Sequence, residues 1–422
     1  MPLPARRLFA FLLLLAAPLA AQDPVGPEVI ANQARAGAQF ASDIGFAADG
    51  SFVVAWASTT DLTHYDVWVR RFAPNGRPRG GEIRVSRLGR GNQGFPAIAV
   101  HPDGSFVVAW NRTWSGTANP DRQPEVYASR FDANGRPLGQ PRLVGYAGRS
   151  TDLDPSTVVA LPDGGFFVAW SLEDGGVYQE GDIPARDIYG RRFTRDGVLV
   201  GGRVTLNADP AGDQDRPDCV LDRGGIACTW TNDLGEGSFG EIAFRRFDLS
   251  GLPAGNEVQV NPEETSFSMQ YSSSLAVDGN GTAFVVWNDP HFDPFTDPHQ
   301  NDSLAVLGRL LSSADQFITP QLRVHTTTPG MQYGGSPAAT PEGFAVVWTS
   351  TAGEDGSGSS VLLRTLAADG TFTSGERIVN QRRAGDQGGA VLAFGPQGGA
   401  VAYGTSPQDL RSWDVAVRRL HP

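Results

Sequence analysis

No lysine occurs anywhere in the 422 residues, so all 34 basic side chains are arginine. Schiff-base chemistry and a lysine general base are thereby excluded. Cysteine is scarce: Cys219 and Cys228 are the two. They lack both the C-x-x-C spacing and the neighbouring His that a redox or zinc site requires. With six His, Ser-His-Asp catalysis has few candidates, and there is no G-x-S-x-G elbow, H-E-x-x-H helix, Walker loop or dinucleotide fingerprint. Past the first twenty residues no apolar run is long enough to cross a bilayer, and no segment carries helical periodicity. The formal charge of -12 disfavours nucleic acid and anionic membrane surfaces as partners.

Glycine and proline are plentiful, at 52 and 30 residues, as a turn-rich all-β chain requires. At the N-terminus Arg6 and Arg7 precede an apolar run from Leu8 to Leu19 and then small residues. Residues 1–21 therefore read as a secretory signal peptide cleaved near Ala21, which places the protein in the periplasm or outside the cell. In that compartment Cys219 and Cys228 are expected to form a disulfide. Taking Arg223-Gly224 as a two-residue turn sets Asp222 opposite Gly225 and, three pairs further on, Cys219 opposite Cys228.

One stretch is written seven times. It reads ADGSFVVAW ending at Trp56, PDGSFVVAW at Trp110, PDGGFFVAW at Trp170, DRGGIACTW at Trp230, GNGTAFVVW at Trp287, PEGFAVVW at Trp348 and PQGGAVAY at Tyr403. Each copy is a tight turn followed by a strand that is apolar throughout, so both faces of that strand must be covered. Before it stands a short apolar strand such as PAIAV (96 to 100). After it comes a strand that begins with an acid and ends in Arg-aromatic, as in DVWVRRF (66 to 72) and DIYGRRF (187 to 193). A fourth strand ends in Val-Asn or a close variant: GGEIRVSR (80 to 87), GGRVTLN (201 to 207), GNEVQVN (255 to 261).

Seven four-stranded units in tandem predict an all-β, seven-bladed β-propeller of antiparallel blades, occupying residues 22–422 as one domain. The chain ends just after a third strand. The orphan strand at 27–32, PEVIAN, supplies the missing fourth strand of the last blade and closes the ring. The units resemble a family of exported bacterial repeat proteins with DGGFVVAW, VYxRRFDxxGxPLG and xVN motifs, the last often followed by GDQ. PDGGFFVAW (162 to 170), VYASRFDANGRPLG (126 to 139) and VNQRRAGDQ (379 to 387) carry that resemblance. It implies a propeller without a defined activity and lends no catalytic residues.

The turns joining strands one to two and three to four are short and stereotyped, while the opposite face varies from blade to blade and is acidic. Irregular loops on a rigid scaffold are where binding resides. Trp114 and Trp413 lie on the variable side and are candidates for stacking on a sugar or a partner side chain. Arg112, Arg186, Glu173 and Asp182 are the charged candidates beside them. Between 288 and 299, Asp289, His291, Asp293, Asp297 and His299 could gather a divalent cation, calcium by their oxygens or a transition metal by their imidazoles. Glu354-Asp355-Gly356-Ser357 offers a second oxygen-rich loop, without the twelve-residue calcium pattern. Gln39, Gln93, Gln214, Gln270, Gln332 and Gln387 precede the first strand in six copies and read as structural hydrogen bonds between blades, as do the acid and Arg of strand three. The recurring Trp series is core packing. A sialidase would carry Asp-box turns, and the Trp of DGSFVVAW stands two residues too far from its Asp.

The function expected is non-catalytic binding of an extracellular or periplasmic protein or glycan by a monomer, through the variable acidic face. The alternatives are a metal-assisted hydrolase or lyase acting on an extracellular polymer, and a structural surface-layer or matrix component.

Overall fold

A computed structural model of the chain describes residues 23–34, 37–59, 64–89, 91–114, 123–147, 156–176, 185–210, 212–233, 240–262, 270–290, 304–327, 329–406 and 412–421. The expected signal peptide lies outside these residues. Among the described residues there are 28 strands and no helix, so no helix crosses a membrane.

The strands form seven four-stranded antiparallel sheets, six of them built from four consecutive strands. The seventh is ordered β1 (Pro24–Ile30), β28 (Asp414–Leu420), β27 (Gly398–Thr405), β26 (Gln387–Gly395), so the N-terminal strand does complete the last blade. Pro24 lies opposite Leu420 and Val29 opposite Val417. The molecule is a seven-bladed β-propeller.

The innermost strands are β2 (Gln39–Phe46), β6 (Asn92–Val100), β10 (Thr157–Ala160), β14 (Asp213–Asp222), β18 (Tyr271–Val277), β22 (Gln332–Thr340) and β26. Among the described residues there are seven hydrophobic clusters, one at each junction between neighbouring blades. The junction of blades two and three, for example, packs Val107, Val126, Val168 and Trp170, and that of the last and first blades packs Val417, Ala402, Trp56 and Val54. Every second strand is covered on both sides for this reason, and Trp56, Trp110, Trp170, Trp230, Trp287, Trp348 and Tyr403 are fully buried.

The expected inter-blade hydrogen bonds are present, and their design is more specific than the sequence suggested. Asn32, Asn207, Asn261 and Asn380, each at the end of a fourth strand, accept from the N–H of Val415, Ile188, Ile242 and Val361 through Oδ1. Each donates its amide to Gln39, Gln214, Gln270 or Gln387, at the start of the next blade. In two blades the Gln also accepts from the core indole: Trp110 Nε1 to Gln93 at 3.3 Å and Trp348 Nε1 to Gln332 at 2.9 Å. The third copy has no Gln, and there Trp170 Nε1 donates to the Tyr146 carbonyl at 2.9 Å instead. Gly145 makes this possible, because a Cβ there would stand 2.5 Å from the Trp170 ring.

The first Arg of strand three reaches back to a carbonyl of the preceding blade: Arg70 to Ala31, Arg191 to Val144, Arg245 to Leu206, Arg309 to Val260 and Arg364 to Val324. The acid and the second Arg of one strand are not partners of each other. Asp66 binds Arg84 and Ser86, and Arg71 donates to Ala133 O of the next blade. Five residues apart on a strand, they point to opposite faces.

In Asp103-Gly104 and Asn134-Gly135 only the glycine is left-handed, with φ of +83° and +78°. An Asp side chain caps each turn: Asp103 Oδ1 accepts from Ser105 N at 2.9 Å, and Asp132 Oδ1 accepts from Asn134 N at 2.9 Å. Arg223-Gly224 is the two-residue turn expected, both with positive φ. The register then sets Cys219 opposite Cys228, and the two are disulfide-bonded.

Candidate functional site

Each first strand begins on the variable face, six of them at or near a Gln, and runs down the wall of a central channel. Six of the seven carry a β-bulge at the same place, between Phe40 and Asp43, Gly94 and Ala97, Asp215 and Asp218, Tyr271 and Ser274, Tyr333 and Ser336, and Gly388 and Val391. A bulge re-aims the side chains around it. The residue two positions after the Gln is left-handed in five blades: Phe95 at +51°, Arg216 at +53°, Ser272 at +53°, Gly334 at +69° and Gly389 at +61°. Glycine suits such backbone, whereas a side chain there costs on the order of 1–2 kcal/mol. Three blades nevertheless hold an aromatic, a guanidinium and a hydroxyl at this level.

Arg216 and Ser272 line the channel and are joined, Nη1 to Oγ, at 2.9 Å. The Arg216 guanidinium lies 6.0 Å from the Tyr271 ring. Tyr271 and Tyr333, each one residue past its Gln, are half-buried, and burial raises both phenol pKa values.

Two residues deeper the channel carries a second ring. At this register stand Asp43, Ala97, Thr157, Asp218, Ser274, Ser336 and Val391, each opposite the residue before the core aromatic. Where the residue has an oxygen, it braces the next blade. Asp43 accepts from Ile98 N at 2.7 Å, Thr157 from Cys219 N at 3.4 Å, Asp218 from Leu275 N at 2.9 Å and Ser336 from Leu392 N at 3.2 Å. Ser274 faces Pro337, which has no N–H, and donates to Asp218 instead at 2.9 Å. The channel encloses about 730 Å³. Burial pushes the Asp43 carboxyl up to about 7 against the pull of its two N–H donors, with Asp218 adding to the rise. Burial likewise raises Asp218.

Neither ring is legible in the sequence, where the first strands read only as short and apolar. The residues after each Gln vary from copy to copy at every position, so no repeated pattern marks the left-handed one.

The sequence-predicted candidates are placed as follows. Arg112 pairs with Glu125 at 3.4 Å, donates to the Leu88 carbonyl and lies 4.0 Å from the Trp114 ring, so these form one packed cluster on blade two. Trp413 stands beside the start of β28; its carbonyl accepts from Gln39 N at 3.0 Å, and its ring lies against Gly404. Glu173 and Arg186 face each other across strands two and three of blade three, and Arg186 Nη1 comes within 3.8 Å of Asp215 on blade four. Asp289 is buried at the end of β19 (Ala283–Asp289), opposite Ala305. Asp182, His291, Asp293, Asp297 and His299 lie outside the described residues. Among the described residues no three His, Cys, Asp or Glu side chains gather to hold a metal. In the loop at 354–357, Asp355 is buried and accepts from Asn380 Nδ2 at 2.7 Å, as part of the blade-to-blade node.

No family model and no curated protein matches the sequence. Solved structures do match it in fold. A protein of unknown function from Dyadobacter fermentans aligns over 96% of this chain and 100% of its own, with TM-score 0.58 and 11% identity. The NanB sialidase of Streptococcus pneumoniae aligns over 94% and 71%, with TM-score 0.50 and 8% identity. A GH93 α-L-arabinofuranosidase of Fusarium graminearum, complexed with arabinobiose, aligns over 77% and 92%, with TM-score 0.50 and 11% identity. At such identities the likeness is one of fold alone.

Proposed function

We propose that this is a non-catalytic binding propeller acting outside the cytoplasm, and that it takes a glycan at the mouth of its channel on the variable face. The observation that carries the reading is the ring of bulges. Phe95, Arg216 and Ser272 occupy left-handed backbone where two other blades have glycine, so side chains that weaken the fold are held at the mouth. Beside them stand Tyr271 and Tyr333. An aromatic face with hydroxyl and guanidinium donors is the chemistry that grips a sugar ring by stacking and by hydrogen bonds to its hydroxyls. The channel carboxylates, for their part, accept from backbone N–H groups of neighbouring blades, which is the work of a brace. A sialidase and an arabinofuranosidase share the fold, and both act on glycans. The disulfide accords with an oxidising compartment.

The test uses glycine, which the backbone favours at all three positions. Phe95→Gly, Arg216→Gly and Ser272→Gly are expected to keep or raise Tm while losing signal on a glycan array that the wild-type protein binds. A silent array with wild-type protein removes the glycan reading. Undiminished binding by all three variants moves the site away from the channel mouth.

A further inference from the structure

All seven blades share one register, so residues at the same position compare directly. Opposite the fourth residue of each third strand stand Val29, Ile83, Val204, Val258 and Leu322 in five blades, but Arg142 in the second and Arg377 in the sixth. The five aliphatic side chains pack into the junction with the next blade. They plug the space beneath its turn: a Cβ on Gly135 would stand 2.3 Å from Ile83 Cδ1, and one on Gly251 would stand 2.9 Å from Val204 Cγ2.

An arginine at this place brings a charge to the junction, which an anion stabilises. The sixth blade supplies that anion within the chain. Arg377 Nη1 lies 2.5 Å from Asp23 Oδ1 of the next blade, with about a quarter of each side chain exposed. The Asp23 carbonyl accepts from His421 N, and in the third blade the same bond runs from Thr194 N to the Val198 carbonyl. Since Leu420 lies opposite Pro24 as Phe193 does opposite Leu199, Val198 occupies the place of Asp23. The acid that the register provides for Arg377 is thus an exposed valine for Arg142. Among the described residues Arg142 makes no ion pair and no side-chain hydrogen bond.

A cavity of about 360 Å³ remains at this junction, on the side of the stereotyped turns. Arg130 and Arg142 form one part of its wall, close enough for their like charges to act on each other. Leu138, Gln140, Pro141 and Phe166 form the rest, and no lining residue is acidic. Asp196, on the turn above, offsets Arg130 from outside that lining. Arg130 is held in place by the Leu138 and Arg195 carbonyls, to which it donates.

We propose that this cavity binds a small organic carboxylate with an apolar body, its acid group on Arg142 backed by Arg130 and its body against Leu138, Pro141 and Phe166. The Arg377–Asp23 pair is the same contact made inside the chain, and a guanidinium takes a carboxylate through two parallel N–H bonds. The cavity shares no residue with the channel lining, so the site does not rest on the glycan reading.

The experiment titrates the protein with benzoate, and with benzamide as the uncharged counterpart, by ligand-observed NMR and thermal melting. Wild type is expected to bind benzoate saturably at one site and benzamide at least tenfold more weakly. Arg142→Val restores the aliphatic residue of five blades, and Val198→Asp installs the acid of the last blade. Each variant is expected to keep or raise Tm without ligand and to lose at least tenfold in benzoate affinity. The proposal is overturned if wild type shows no saturable benzoate binding, if benzamide binds as tightly, or if both variants bind benzoate as wild type does. Sulfate that displaces benzoate at equal concentration would also overturn it, because the cavity would then hold any anion. Should one variant fail to fold, the other decides together with the wild-type titrations.

Discussion

His325 shows how one residue alters a repeated device. It stands where Asn32, Asn207, Asn261 and Asn380 stand in other blades, and its Nδ1 meets the Thr327 carbonyl at 2.7 Å. That contact fixes the tautomer with the proton on Nδ1 and leaves Nε2 buried without a partner. Burial lowers its pKa below the usual 6.5. The folded state therefore keeps the ring neutral while the unfolded chain takes up a proton below about pH 6.5, so stability falls as pH drops from there toward the folded-state pKa. His325→Asn should restore the amide of the other blades and flatten that decline. Melting curves at pH 7 and pH 5 check it: equal Tm losses in variant and wild type would refute the role. Gly145 is a second case, set by space. Gly145→Ala would press a methyl group into Trp170 and loosen the bond from its indole N–H, at a cost of about 1–3 kcal/mol by urea unfolding. An unchanged midpoint would show that the blade absorbs the methyl group.

At the level of the strand, the fourth blade carries a cross-link that the others lack. Cys219 and Cys228 are nine residues apart, face each other on strands one and two, and are buried. Closing so short a loop stabilises the fold by about 2–3 kcal/mol in the chain-entropy account. Cys219→Ser/Cys228→Ser should lower the unfolding free energy by that much without altering the ring. A reductant added to native wild-type protein should have little effect, since both sulfurs are shielded. Rapid loss of stability with mild reductant would contradict the burial. The bulged first strands are a different kind of element: their hydrogen-bond irregularity is confined to one level, where it turns a core strand into a site wall.

At the scale of the whole molecule, the ring is held shut by a strand from the other end of the chain. β1 pairs with β28, Asn32 joins Asp414 and Gln39, and Arg70 of the first blade reaches the Ala31 carbonyl. Deleting residues 23–33 should lower Tm by roughly 10 °C or more and expose an edge prone to association, because it removes a strand and the junction between last and first blades together. A deletion variant that melts with wild type would show that the closure contributes little.

The sequence by itself determined the repeat, hence the seven blades, the strand order, the closure by PEVIAN and the Cys219–Cys228 register. These follow from local periodicity and turn chemistry, which one-dimensional patterns record. Tertiary structure alone decided what lies at the centre. The bulge after each Gln, the left-handed Phe95, Arg216 and Ser272, and the approach of Asp43 and Asp218 across the channel join residues from blades far apart in the chain. Each of those residues is unremarkable within its own repeat. They become a site because ring closure brings seven first strands around one channel, a proximity that no spacing along the sequence encodes.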